Sequence, residues 1–283
     1  MSTHSNLLAL AVCSATLFVV SCGEGEKTEE TTKTEDTIAL EEPAKEITLS
    51  DVPGSPEFAD AQLSITGVTA EKQGADSAKV TFNFEVKNYQ LKSQTADAGK
   101  KQCNNSDKGQ HIHFIKDNEP YVALYDPTHT TTVPLNSEHY VLVFLSRSYH
   151  ESLKNKGAAM VYHFKVDKAG KLQKMDDPKT PMVFYSRPKG DYLGKDTENV
   201  LFDYYVWNTS LSNDGYKVNA KINTGGNEKT IDMTEWKSQF LHGLAMGKNS
   251  ITLTLLDKDG KALEGPMTTV TREFNLAASE PMK

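Results

Sequence analysis

With 283 residues the chain has room for one large domain or two of ordinary size. Its composition, 37% hydrophobic and 24% charged, is that of a water-soluble globular protein and excludes a bundle of membrane-spanning helices. Of the formal net charge of −7, residues 23–50 account for −6 through nine acidic residues against three lysines, so residues 51–283 carry −1 and offer no broad basic face to nucleic acid.

The first element is an apolar run over residues 7–20. Its 14 residues are too few for a bilayer core that needs about 20, and suit the apolar region of a signal peptide. The run ends in Val19, Val20, Ser21 and Cys22, which resembles the lipobox of bacterial lipoproteins. That resemblance implies a signal peptide over residues 1–21, cleavage before Cys22 and lipidation of its sulfur, and therefore a membrane anchor in the bacterial cell envelope, at the outer membrane, facing either the periplasm or the surface. Residues 1–6 depart from the usual pattern in holding His4 but no Lys or Arg. The competing reading, a buried helix opening the first domain, is opposed by the uncapped end and the solvated stretch that follows.

Residues 22–50 read as the lipidated cysteine and a disordered acidic tether, since repeated Glu and Thr without aromatics cannot bury enough surface to offset ordering entropy. Acidic residues directly after the cysteine also resemble the surface-export tethers of Bacteroidota lipoproteins. Of the three cysteines, Cys13 leaves with the signal and Cys22 carries lipid, so Cys103 is left as a single thiol, expected exposed in its polar loop.

Beyond Pro53 apolar residues recur two apart, the period of a half-buried strand: Leu63 and Ile65; Val80, Phe82, Phe84 and Val86; within residues 140–145; and Phe164 and Val166 within residues 161–166. Turn chemistry at residues 116–119, 224–227 and 257–260 separates these runs. One helix is expected, a short crossing over residues 232–244, with Met233, Trp236, Phe240 and Leu244 spaced by three and four.

An internal repeat organises the strands. Residues 80–91 (VTFNFEVKNYQL) align without gaps to residues 200–211 (VLFDYYVWNTSL), and residues 139–145 meet residues 249–255. The expected fold is therefore all-β: two tandem immunoglobulin-like antiparallel β-sandwich domains, the first over 51–170 and the second over 180–283, with a polar, Pro-containing crossing between them. Residues 109–114 (GQHIHF), 146–151 (SRSYHE) and 184–190 (FYSRPKG) are similar to segments of uncharacterised exported Bacteroidota lipoproteins, some labelled phosphopeptide-binding. The resemblance implies compartment and tandem architecture more than an activity.

His111 and His113 stand two apart in a predicted strand, so both side chains leave one face while Ile112 and Phe114 leave the other. If residues 110–115 pair antiparallel with residues 140–145, the loop after Leu145 brings Arg147 and His150 beside His111. Three neutral imidazoles, His111, His113 and His150, can hold copper or zinc; with Arg147, and the hydroxyls of Ser146 and Ser148, the same loop can instead bind an anion. The alternative is ordinary surface histidines, and the second repeat, with Lys217 and Asn219 at the matching positions, folds without imidazole there. Ser186, Arg187 and Lys189 read as a second, solvated basic cluster. His129, His139, His163 and His242 read as loop or strand-edge residues.

No nucleophile elbow, phosphate loop or His-Glu-x-x-His motif is present. The chain therefore reads as a non-enzymatic envelope lipoprotein without a cofactor, whose sandwiches bind a protein, a peptide or a small ligand, a phosphopeptide or other anion included. The alternatives are a copper- or zinc-binding envelope protein and a structural spacer in an outer-membrane assembly.

Overall fold

A computed structural model describes residues 45–279. The signal peptide, Cys22 and most of the tether lie outside the described residues. The described residues build 17 strands: β1 (Thr48–Asp51), β2 (Gln62–Gln73), β3 (Ser77–Lys87), β4 (His111–Lys116), β5 (Val122–Leu124), β6 (Thr128–Pro134), β7 (Ser137–Ser146), β8 (Ala159–Val166) and β9 (Leu172–Lys174), then β10 (Met182–Arg187), β11 (Gly190–Leu193), β12 (Val200–Trp207), β13 (Lys217–Thr224), β14 (Asn227–Met233), β15 (Gln239–His242), β16 (Gly247–Leu256) and β17 (Thr269–Ala277).

They form two β-sandwiches. In the first, a sheet ordered β2-β3-β6 faces one ordered β5-β4-β7-β8-β9; in the second, β1-β15-β12-β10 faces β11-β17-β16-β13-β14. The strand orders match between repeats, as the sequence alignment implies: β3 corresponds to β12, β4 to β13, β7 to β16 and β8 to β17. Each sandwich has its own core. Phe82 is fully buried among Phe84, Phe114, Tyr162 and Phe164 in the first, and Phe202 among Tyr204, Ile222, Leu253 and Phe274 in the second.

A third apolar cluster joins the two sandwiches. Ile115, Leu142, Phe144 and Val161 on the outer face of the β4-β7-β8 sheet pack against Met182 and Phe184 of β10 and Tyr205 of β12. Polar groups pin the same junction: the Asn118 amide donates to the Val183 carbonyl at 2.9 Å and accepts from the Tyr185 N–H at 3.0 Å. The fully buried Asp203 of β12 accepts from Ser152 Oγ at 2.9 Å, Ser238 Oγ at 2.8 Å and Lys154 Nζ at 2.7 Å. The sandwiches therefore belong to one compact unit.

Three expectations are corrected here. The stretch over residues 232–244 is not a helix; it ends β14, turns, and forms β15, whose Leu241 stands opposite Leu49 and Val200. Its apolar residues look helical because they serve different cores, with Met233 and Leu241 in the second sandwich and Phe240 in a small cluster beside Cys103. The tether ends before residue 50, because Thr48–Asp51 pairs with β15; the second sandwich thus takes its edge strand from ahead of the first. Cys103 is buried rather than exposed, and burial pushes its thiol up to about 12, far from the thiolate that reacts at neutral pH.

Since Phe82 and Phe202 each sit at the centre of a separate core, Phe82→Ala and Phe202→Ala are each expected to cost about 3–5 kcal/mol in urea denaturation. A loss below about 1 kcal/mol for either would contradict its placement.

Candidate functional site at the sandwich junction

Strand β4 is buried on both faces, which explains why its alternation of His and apolar residues does not leave the histidines in water. Ile112 and Phe114 enter the first core, and His111, His113 and Ile115 face the second sandwich. Register puts His111 opposite Ser146 and His113 opposite Phe144. The chain turns after β7 and the turn carries His150 back over His111. His111 and His113 are 0% exposed and His150 is 7% exposed.

One nitrogen of each ring converges on a common point. His111 Nε2 lies 2.9 Å from His113 Nε2 and 3.2 Å from His150 Nδ1, and the three are mutually within 4.8 Å. Tautomers follow from the outer bonds. A carbonyl only accepts, so the 2.8 Å contact of His111 Nδ1 with the Gly109 oxygen puts the proton on Nδ1 and a lone pair on Nε2. That lone pair faces two neighbouring ring nitrogens and can accept well from only one. His113 Nδ1 meets Ser186 Oγ at 3.2 Å, and a hydroxyl serves either tautomer because it donates or accepts.

The second repeat is an internal reference for the turn. His150 N–H donates to the Arg147 carbonyl and Arg147 N–H to the Glu151 carbonyl; Gly260, Asp257 and Lys261 repeat both bonds. The position corresponding to His150 is thus Gly260, and both have positive φ, 69° and 77°. A left-handed backbone suits glycine and costs a side-chain-bearing residue about 1–2 kcal/mol. The first repeat places an imidazole there nonetheless, and aims it at two others.

The walls come from elements distant in sequence. The Tyr121 ring stacks on His113 with centroids 3.7 Å apart, and its hydroxyl is 3.3 Å from His150 Nδ1. Tyr125 packs 5.1 Å from His111 and also lines a surface groove of about 620 Å³. From the second sandwich come Ser186, Arg187 and Lys189. Arg187 is only 5% exposed, bonded to Tyr192 Oη and Asn104 Oδ1, and Lys189 Nζ donates to the Tyr121 carbonyl at 2.7 Å. The expectation of a separate, solvated basic cluster is therefore corrected: the junction folds it against the histidines.

Arg147 is corrected in the opposite sense. Its guanidinium points away from the imidazoles, donating to the Pro56 carbonyl at 2.7 Å and the Ser152 carbonyl at 3.3 Å and lying 3.3 Å from the Glu151 carboxylate. Ser146 Oγ donates to the Arg147 carbonyl and so is not free for an anion, and the buried Ser148 hydroxyl accepts from the Thr95 N–H. The other histidines are strand residues: His139 bonds Asp117, His163 bonds Glu138, His242 meets Ser50 Oγ and His129 packs on Phe114. Sequence reasoning passed over Tyr121 and Tyr125. The Gly260 match was a readable signal for His150, since one repeat spends a histidine where its copy uses glycine.

Burial, first, and then the nearby charge of Arg187 keep the cluster neutral. His111 is held down to about 4, and His113 and His150 well below the ordinary 6.5. Lys217 and Asn219, at the matching positions of the second repeat, are half-exposed, so that repeat has no buried imidazole to keep neutral.

Neither a protein-family model nor a curated protein sequence matches this chain. Among solved structures it is similar to the fibronectin(III)-like modules of CbhA from Clostridium thermocellum, at 11% identity, over 78% of this chain and 98% of that one, with a TM-score of 0.26.

Unfolded imidazoles titrate near 6.5, so below that pH the unfolded chain binds more protons than the folded one. Stability is fully present above pH 6.5 and falls as pH drops towards 4. His111 alone is expected to cost about 2 kcal/mol between pH 7 and pH 5, with His113 and His150 adding in the same direction. Urea denaturation in the presence of a chelator at the two pH values checks this, and equal midpoints would refute it.

Proposed function

We propose that the chain is a non-enzymatic metal-binding lipoprotein of the bacterial envelope that holds one copper or zinc ion on His111 Nε2, His113 Nε2 and His150 Nδ1. The observation that carries the reading is the convergence of three neutral ring nitrogens inside an otherwise closed junction. Zinc–nitrogen bonds of about 2.0–2.1 Å at tetrahedral angles separate ligand nitrogens by about 3.3 Å. The contacts of 2.9 and 3.2 Å are near that value, and the third pair, His113 and His150, lies within 4.8 Å. A metal would also relieve the crowding on the His111 lone pair, since each ring would then turn its own lone pair to the ion. The Gly109 carbonyl would keep its bond to His111, and Ser186 Oγ would accept from His113 Nδ1–H, the outer contacts that orient ligating histidines.

Imidazole sets suit both zinc and copper, and among the described residues no thiolate or carboxylate joins the cluster to narrow the choice. Enclosure favours holding an ion over turning over a substrate. A phosphopeptide at the loop after β7 is less well supported, because Arg147 is committed to backbone carbonyls. Anchorage by Cys22 is part of the proposal and has its own test: globomycin, or Cys22→Ala, should leave an unprocessed precursor, and a mature chain without an acyl group would remove that part.

Isothermal titration of the purified full chain with Zn²⁺ and Cu²⁺ is expected to show one site that also raises the melting temperature. Stabilisation should reach about 2.7 kcal/mol at a free metal concentration of 100 times Kd. His150→Gly and His150→Ala should both weaken the metal at least about 100-fold, since loss of even an outer partner costs 10–100-fold. Without metal the Gly variant should be about 1 kcal/mol more stable than the Ala variant, because φ is positive there. Unchanged affinity in both variants would sink the proposal.

A further inference from the structure

The groups that close the imidazole cluster are cations without counter-ions. Arg187 is buried, its Nη1 donates to Tyr192 Oη at 3.0 Å and its Nη2 to Asn104 Oδ1 at 3.3 Å, and its Nε has no partner. Lys189, which is half-buried, donates its Nζ to the Tyr121 carbonyl and lies 4.2 Å from the centroid of that ring. Among the described residues, no carboxylate oxygen lies within 4.0 Å of either cation. Buried charges are ordinarily paired, because an uncompensated one forfeits several kcal/mol of hydration.

Tyr121 ties these cations to the imidazoles. Its ring stacks on His113, its hydroxyl reaches His150, and Arg187 Cζ lies 5.4 Å from its centroid. A divalent ion on three neutral nitrogens would bring two more positive charges beside Arg187 and Lys189. Three protein ligands also leave a four-coordinate ion one position short.

Resting on the metal reading above, we infer that the bound ion takes a small anion as its remaining ligand, and that Arg187 and Lys189 hold the outer charge of that anion. Burial of all three imidazoles restricts the anion to a few atoms, such as azide, formate or bicarbonate. The unpartnered Nε of Arg187 is the donor the protein leaves available to it, and Lys189 adds a mobile point charge. The cations then have a function that the metal site alone would not give them: they fix the net charge at which the loaded site is stable.

The test uses azide on the copper-loaded full chain, with bound copper counted before azide is added. Expected are one copper per chain, an azide-to-copper charge-transfer band that saturates at one azide per copper, and azide affinity roughly tenfold or more weaker in Lys189→Gln, the worth of a hydrogen bond to a charged group. Arg187→Lys keeps the charge but loses the fork, and should weaken azide while still melting cooperatively; if it does not fold, Lys189→Gln alone decides. One copper per chain with no azide band, or a band of equal affinity in Lys189→Gln, overturns this inference and leaves the metal site standing. Failure to take up copper or zinc at one per chain overturns both, and the metal count tells the two failures apart.

Discussion

The contact on which the structure turns is the packing of the outer face of the β4-β7-β8 sheet against β10 and β12. A sheet in an isolated sandwich shows one face to water, and the second repeat does this with Lys217 and Asn219. In the first repeat that face is apolar at Ile115, Leu142, Phe144 and Val161, and the second sandwich covers it. Removing this area from water at roughly 25 cal/mol per Å² provides the drive that carries His111 and His113 into a dry environment. The cost of burying them is met by hydrogen bonds to Gly109, Ser186 and each other.

The same junction decides which cations matter. Arg147, three residues from His150, spends its guanidinium on the segment before β2, whereas Arg187, on β10, arrives beside the imidazoles because the second sandwich docks there. Asp203 and Asn118 make that docking specific, since each would lose several bonds if the sandwiches slid by one residue. Burial and the added positive charge then keep the three histidines unprotonated, which is the state a metal requires.

Duplication gives the protein a reference for its own specialisation. Two copies of one fold share strand order and even the hydrogen bonds of the turn after β7 and β16. They differ where the proposed site lies. A copy that uses Gly260 at a left-handed position is at ease there, and one that uses His150 accepts a backbone cost in return for an imidazole in a fixed place.

Much of the fold was legible in the amino-acid order because its determinants are local or repeated. Alternation of apolar residues gave the strands, the match between residues 80–91 and 200–211 gave two copies, and the pairing of β4 with β7 followed from the sandwich pattern. The His-x-His spacing likewise placed two imidazoles on one face, since a strand's side chains alternate whatever surrounds them. Sequence could not supply what depends on distant surfaces meeting. The strand at residues 239–242 exists because residues 48–51 and residues 200–202 pair with it, the former from Thr48 opposite His242 to Asp51 opposite Gln239, and no local period reports such partners. Burial of Cys103 and the arrival of Arg187 were settled by the docking of one sandwich on the other, and the occupation of Arg147 by the segment before β2. Burial and charge environment are properties of a completed interface, and a strand read alone does not say which of its two faces will be covered.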